Sequence, residues 1–490
     1  MLTFMTKAIT KTPMETLAVA VCEDADIYSD EGIRALIDRA KTLEEFSGEK
    51  KQQVILYDVT DTKIHRCIFK GIGPKKEISA EGLRIFAGQA AKAAQGAKSR
   101  QLVVAVPDAG DLNLESEIVI TALSEGAFLA NHTFETYKQK PNGTTLKEIA
   151  LQVSTAASKQ HAALLKKIET VCQSTLQARD WVSTPSNDKP PEVLAKRVSD
   201  AAGKTGLKIS VLSKAQLQRQ KFGALLAVAA GSANPPCLVE MAYAPPKGAK
   251  KTIVLVGKGV TFDTGGINLK PSAGMDEMKA DMSGAATVAA TLAAVARLKP
   301  RHRVVGIMPM VENMPSGTAT RPGDVVTSYT GKTVEIGNTD AEGRLILIDA
   351  MAYAIKKYKP DVLIDLATLT GACVVALGEK IAGVFSKDDA LAAAVLASGE
   401  TTFERCWRLP MPQDYKELLK SEIADINNMS STRYGGAITA ALFLSEFVGD
   451  TCWAHIDIAG PAFSKKAGDY CGPGGTGFGV RLLCDLIEKL

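Results

Sequence analysis

The stretch Asn338-Thr339-Asp340-Ala341-Glu342-Gly343-Arg344-Leu345 brings two carboxylates and a guanidinium together within five residues. A β-type run precedes it and an apolar helical pattern follows. It therefore reads as a strand-to-helix junction, the unit from which α/β folds are built. Charge held so close to a core is costly unless a cation meets the carboxylates and an anion meets the arginine. The junction is a candidate metal site, and the remaining ligands must come from elsewhere in the chain.

Moving outward, the C-terminal half repeats the same alternation. Candidate strands fall at 208–212, 237–243, 252–256, 304–308 and 362–366. Between them, Ala285, Val288, Ala289, Leu292 and Val295 recur at helical spacing among small neighbours, the pattern of a closely packed buried helix. This alternation predicts a mixed or parallel sheet covered by helices on both faces. Ligands of such sheets sit beyond the carboxyl ends of the strands.

Toward the N-terminus, strands at 54–57 and 102–106 flank an alanine-rich helical stretch at 80–97, which implies a β-α-β unit. No cluster of ligand-type or nucleophilic residues occurs there. Residues 146–178 read as one long helix with Leu164, Ile168, Val171, Cys172 and Leu176 along an apolar stripe. The breaker cluster Ser183-Thr184-Pro185-Ser186-Asn187 follows it. The expected architecture is two α/β domains joined by a long helix. These are an accessory domain at 1–145, a connecting helix at 146–178 and a catalytic domain at 179–490.

Composition supports this reading. A chain of 490 residues with 46% hydrophobic and 23% charged residues can bury a large core. A net charge of +4 with no basic tract argues against nucleic acid or a membrane surface as partner. The nine cysteines include no CxxC pair, which leaves out thiolate zinc and dithiol chemistry. The early apolar run at 17–22 is short and runs into Glu23, Asp24 and Asp26, and no apolar stretch is long enough to span a bilayer. A soluble, cytoplasmic protein is expected.

A second charged motif, Val256-Gly257-Lys258-Gly259-Val260-Thr261-Phe262-Asp263-Thr264-Gly265-Gly266, continues through Lys270 to Asp281. Its glycines let the backbone turn sharply and approach an ion. The carboxylates are then Asp263, Asp281, Asp340 and Glu342, enough to balance two divalent cations. Lys258 joins such a site only as a neutral amine. Lys270 and Arg344 remain as surplus positive charge to stabilise an oxyanion, which is the layout of a two-metal hydrolase. Any one of these residues, taken alone, would more often be a solvated loop residue. Two such motifs in one α/β half are harder to explain as surface decoration.

Other signals are weaker. Gly472 to Gly477 match GxGxxG, but only 13 residues follow, too few for a dinucleotide-binding unit. Gly331-Lys332-Thr333 lacks the first glycine of a P-loop and reads as a turn. His455, in an apolar strand-like run, is expected to be buried and hydrogen-bonded to backbone.

Together the two motifs resemble the leucyl (cytosol) aminopeptidase family, dinuclear metallopeptidases. NTDAEGRL at 338–345 and GKGVTFDTGG at 257–266 carry the resemblance, with Lys270 and Asp281 at the expected spacing. It extends over Arg179-Asp180, Thr184-Pro185-Ser186-Asn187, Ala367-Thr368-Leu369-Thr370-Gly371-Ala372, Asp457-Ile458-Ala459-Gly460 and Gly475-Thr476-Gly477-Phe478-Gly479. The resemblance implies that Asp263 and Glu342 bridge two metals. Asp340 completes the more exchangeable site, and Lys258 and Asp281 the tighter one. The implied ions are manganese or zinc, which suit oxygen ligands with one amine.

The resemblance further implies Lys270 and Arg344 as catalytic residues. A metal-bridging hydroxide is the nucleophile, Arg344 holds a bicarbonate as general base, and Lys270 stabilises the gem-diolate. Substrate contacts are implied for Lys270, Met278, Asn338, Thr368, Leu369, Gly371, Ala459 and Ala462, of which Met278, Thr368, Gly371, Ala459 and Ala462 form an apolar pocket suited to leucine or methionine. A homohexamer acting on peptides is the implied assembly. Two alternatives stand beside it: a two-metal phosphoesterase, and an added architectural role on DNA.

Overall fold

The computed structural model describes residues 1–490 except 44, 61, 141–144, 204 and the side chain of 10. The chain divides into two compact units: Met1–Gln173 with Lys466–Pro473, and Ser174–Lys465 with Gly474–Leu490.

The first unit is built on six strands: β1 (Leu2–Met5), β2 (Met14–Cys22), β3 (Gln53–Tyr57), β4 (Ile64–Gly73), β5 (Gln101–Ala105) and β6 (Glu148–Gln152). Their order is β1-β6-β5-β2-β4-β3. All neighbours run parallel except the edge strand β3, which is antiparallel to β4. The 17–22 run of β2 is buried on both faces, as a central parallel strand requires. Helices Glu31–Lys41, Ala80–Gly96 and Ser116–Ala130 follow strands β2, β4 and β5.

Two expectations are corrected here. The β-α-β unit around the alanine-rich helix begins at β4, not at 54–57, because that stretch first turns back as an antiparallel hairpin onto β4. The single helix expected at 146–178 is instead strand β6, a short helix Thr155–Gln160 and the long helix Ala162–Ser183. Ile149, Ala150 and Leu151 are buried between β1 and β5, and that pairing outweighs the local helical pattern. The Ser154 side chain then accepts a hydrogen bond from Ala157 N–H and starts the helix only there.

The second unit carries a mixed sheet of β7 (Lys208–Leu212), β8 (Cys237–Tyr243), β9 (Thr252–Gly257), β10 (Gly259–Asp263), β11 (Arg303–Asn313), β14 (Val362–Ala367), β15 (Ala382–Ser386), β16 (Cys406–Arg408) and β18 (Trp453–Asp457). The order is β16-β15-β18-β14-β9-β11-β8-β7, with β10 beside β11. A small separate sheet joins β12 (Val325–Thr327), β13 (Thr333–Glu335) and β17 (Ile426–Asn427).

Alternation along β9 defines two cores. Ile253 and Leu255 pack with helices Pro191–Ala202, Ser283–Leu298 and Val480–Lys489. Val254 and Val256 pack with Glu342–Tyr358 and Gly436–Ser445 on the other face. The protein is thus the two-unit α/β fold expected, with a mixed sheet sandwiched between helices. Among the described residues, no helix is long and apolar enough to cross a membrane.

Candidate metal centre

The second unit gathers its charged motifs at the carboxyl ends of β9, β10 and β14. β9 ends at Gly257, so Lys258 leaves the sheet with its N–H donated to Leu366 O of β14. β10 runs parallel to β11 and ends at Asp263. Gly265 and Gly266 then turn with φ of +86° and +67°, a region in which a side chain is strained. A turn of 3-10 helix, Met275–Ala280, delivers Asp281. Glu342 opens the Glu342–Tyr358 helix.

These elements converge on one cluster. Lys258 Nζ stands 2.8 Å from Asp281 Oδ1 and 2.7 Å from Glu342 Oε1, and donates to Thr368 O at 2.8 Å. Lys270 Nζ stands 2.9 Å from Asp263 Oδ2 and 2.5 Å from Asp340 Oδ1. Asp263, Asp340 and Glu342 each offer a carboxylate oxygen, all within 4.8 Å of one another. Asp281 lies outside that trio, held by Lys258 and by a hydrogen bond from Thr368 Oγ1 at 2.7 Å.

Burial, reinforced by the crowding of like charge, raises the pKa of Asp281, Asp340 and Glu342. Burial alone would pull the lysines down, but the carboxylates outweigh it and hold Lys258 and Lys270 above the ordinary amine range. The surrounding carboxylates thus favour the ammonium form of Lys258. A neutral amine at this position requires that other cations take up the carboxylate charge.

The donor set fits such cations. Asp281 Oδ2 is buried and without a hydrogen-bond partner. Asp340 Oδ1 and Glu342 Oε1 stand at ion-pair distance from the ammoniums yet accept no aligned hydrogen bond. Natively buried oxygens are rarely left this way. Four carboxylates and an amine, with no thiolate or imidazole, suit manganese, zinc or magnesium.

The cluster opens on a cleft of about 380 Å³ lined by the six metal-motif residues together with Met278, Thr368, Leu369, Gly371, Ala459 and Ala462. Glu277, Val374, Glu379, Phe463 and Lys465 also line it, and no motif marked them. Asn338 and Arg344 do not line it. The Asn338 side chain instead accepts from Asp340 N–H, shaping the turn that presents the carboxylate.

Arg344 is buried, with one bond from Nη1 to Asn428 O at 2.8 Å and Nε unpartnered. Among the described residues it makes no ion pair, and burial lowers its pKa to about 10, still well above neutrality.

Two positioning residues escaped the sequence reading, and a third, Asp457, was marked there only as part of a motif, with no role. Asn313, the last residue of β11, donates to Asp263 Oδ1 at 2.8 Å and to Thr339 O at 3.0 Å, tying the two motifs together. A polar residue ending an apolar strand was its only signal. Asn428 is fully buried and bonds Gly337 N–H, Asn338 O and Arg344. Asp457 accepts from Leu369 N–H, Ala459 N–H and Thr370 Oγ1, anchoring the turn that carries Thr368.

His455 is buried as expected, but its partner is a carboxylate rather than backbone. Nδ1 lies 2.7 Å from Asp365 Oδ1, because the parallel register of β14 and β18 sets those residues side by side.

A buried carboxylate–lysine cluster at the carboxyl edge of a sandwiched mixed sheet fits a metal-dependent hydrolase built on an α/β fold. Comparison with known proteins narrows the class. The model of the cytosol aminopeptidase family, catalytic domain, matches residues 176–484, and that of the family's N-terminal domain matches 18–141. A probable cytosol aminopeptidase of Chlorobium phaeobacteroides is 42% identical over 98% of each chain. One from Cenarchaeum symbiosum is 41% identical over 90% of each. Among solved structures, the bottromycin maturation enzyme BotP in complex with Mn superposes with a TM-score of 0.86 at 34% identity, covering 97% of this chain and 99% of that one. The chain belongs to the cytosol aminopeptidase family, metal-dependent aminopeptidases that act on peptides.

Proposed function

We propose that the protein removes N-terminal residues from peptides in the cytoplasm, preferring leucine and other large apolar residues. The observation that carries this reading is the carboxylate–lysine cluster opening directly onto a cleft floored by Met278, Gly371, Ala459 and Ala462. Asp263, Asp340, Glu342, Asp281 and Lys258 are the residues that would hold two divalent ions, manganese or zinc. Bound there, the ions supply Lewis-acid polarisation of the scissile carbonyl and a water of lowered pKa.

The chain's own residues do the rest. Lys270, an ammonium at the cleft wall, stabilises negative charge developing on the carbonyl oxygen. Thr368 and Leu369 orient the peptide beside it. Arg344 is the residue that would hold bicarbonate, the general base that no histidine lining the cleft supplies. Its unpartnered Nε and freedom from ion pairs support that role. On the family pattern, 179–490 is the catalytic domain, the unit built on β1 to β6 an accessory domain, and the assembly a homohexamer.

Hydrolysis of leucyl-anilide after chelation and stepwise return of Mn2+ or Zn2+ tests the reading. Activity should vanish and return with metal, while a nitrophenyl phosphate stays intact. Full activity in the stripped protein would overturn it.

A further inference from the structure

The first unit contains a cleft of about 530 Å³ that the catalysis proposed above does not use. It lies past the carboxyl ends of β1, β5 and β6, where parallel sheets receive their ligands, and its size suits a small molecule. Ile33, Val119 and Ile120 contribute apolar side chains to it.

Its charges are sorted along the sheet. Lys7 follows β1, Asp108 follows β5, and Asp30 lies beyond β2 at the start of the Glu31–Lys41 helix. With strand order β1-β6-β5-β2 and strands about 4.8 Å apart, the lysine and Asp108 ends are separated by on the order of 10 Å. None of the three makes an ion pair among the described residues. Asp30 and Asp108 each accept one backbone N–H, from Ile33 and Ser29, and each keeps a second oxygen.

Two further features mark an anion-attracting side. His161 is 2% exposed, with Nε2 3.2 Å from Ser116 Oγ and Nδ1 unpartnered. Ser116 opens the 15-residue helix Ser116–Ala130, whose N-terminus has no side-chain cap; Ile118 N–H turns back onto Glu115 O, and the N–H groups before it carry partial positive charge.

A ligand satisfying this lining has an anionic end, an apolar middle and a cationic end roughly 10 Å away, the span of about three extended residues. We propose that the cleft binds free tripeptides by both termini. The α-carboxylate sits at Lys7, Ser116 and His161, and the α-ammonium at Asp30 and Asp108. A single amino acid is too short to reach both ends. The site is independent of the catalytic cluster and of its mechanism.

The test uses the zinc-loaded full chain carrying Lys270→Ala to slow turnover, titrated with Leu-Ala-Leu and followed by methyl NMR. Val119 and Ile120 methyls report this cleft, and Val374 methyls report the catalytic one. Val119 and Ile120 should shift with millimolar peptide, and Lys7→Glu should weaken that binding by about tenfold or more while leaving Val374 unchanged. Movement of Val374 alone would overturn the proposal. So would equal binding of N-acetyl-Leu-Ala-Leu-amide or of free leucine at Val119 and Ile120, or a Lys7→Glu chain that binds as tightly.

Discussion

Lys258 Nζ meets Glu342 Oε1 at 2.7 Å, joining the end of β9 to the first turn of the Glu342–Tyr358 helix. The contact exists because the residue after Glu342 is glycine. A Cβ on Gly343 would fall 2.6 Å from Lys258 Cε and 2.8 Å from its Nζ. The two motifs thus interlock through the absence of one side chain.

Gly343→Ala should therefore push Lys258 off Glu342. The expected result is weaker Mn2+ binding by calorimetry and a stability loss of about 1–3 kcal/mol. Wild-type metal affinity in this variant would show that Lys258 has room the geometry denies.

Lys258→Met leaves Asp281 and Glu342 buried beside a neutral side chain. In metal-free protein, removing one partner of so buried a cluster should cost about 3–5 kcal/mol by denaturant unfolding. An unchanged midpoint would mean that the carboxylates are neutral there already.

Asp457→Ala frees Leu369 N–H, Ala459 N–H and Thr370 Oγ1 at once. Thr368, which fixes both Lys258 and Asp281, should lose its position, and kcat/KM for leucyl-anilide should fall by about tenfold or more. A change confined to thermal stability would leave Asp457 with a structural role only.

Asp349 sits fully buried on the helix that Glu342 opens, accepting N–H groups of Leu225 and Tyr329. Burial raises its pKa to about 7, and no charged side chain contributes. Its folded pKa lies above the unfolded value of 3.8, so the folded state holds a proton that the unfolded chain has released. The destabilisation is absent below the unfolded pKa, grows as pH rises, and is complete above about 7. The thermal midpoint of Asp349→Asn should gain on wild type across that window. A pH-independent difference would contradict the assignment.

Ala462 lines the catalytic cleft beside Met278. Ala462→Met should reduce turnover of phenylalanyl-anilide more than that of alanyl-anilide, because the larger side chain claims the added volume first. Equal losses would place Ala462 outside the pocket that receives the N-terminal residue.

Much of this was legible along the chain. The central strands of the second unit follow from continuous apolar runs, and the two charged motifs announced themselves by residue type and glycine spacing. Local pattern failed where pairing partners decide structure. Residues 148–152 look helical in isolation, yet they form a strand because β1 and β5 flank them. His455 gave no hint of Asp365, which only parallel register brings alongside.

The sequence by itself determined the family and singled out the candidate ligand residues, because these depend on which side chains are present and how the motifs are spaced. Tertiary structure alone decided how the charges meet. It pairs Lys258 with Asp281 and Glu342, and Lys270 with Asp263 and Asp340. It also leaves Arg344 out of the cleft lining, bonded to Asn428, and recruits Asn313 and Asp457 to hold the parts still. Those relations join residues far apart in the chain, and burial at the sheet's carboxyl edge gives them their energy. Neither spacing nor composition encodes which distant group will arrive there.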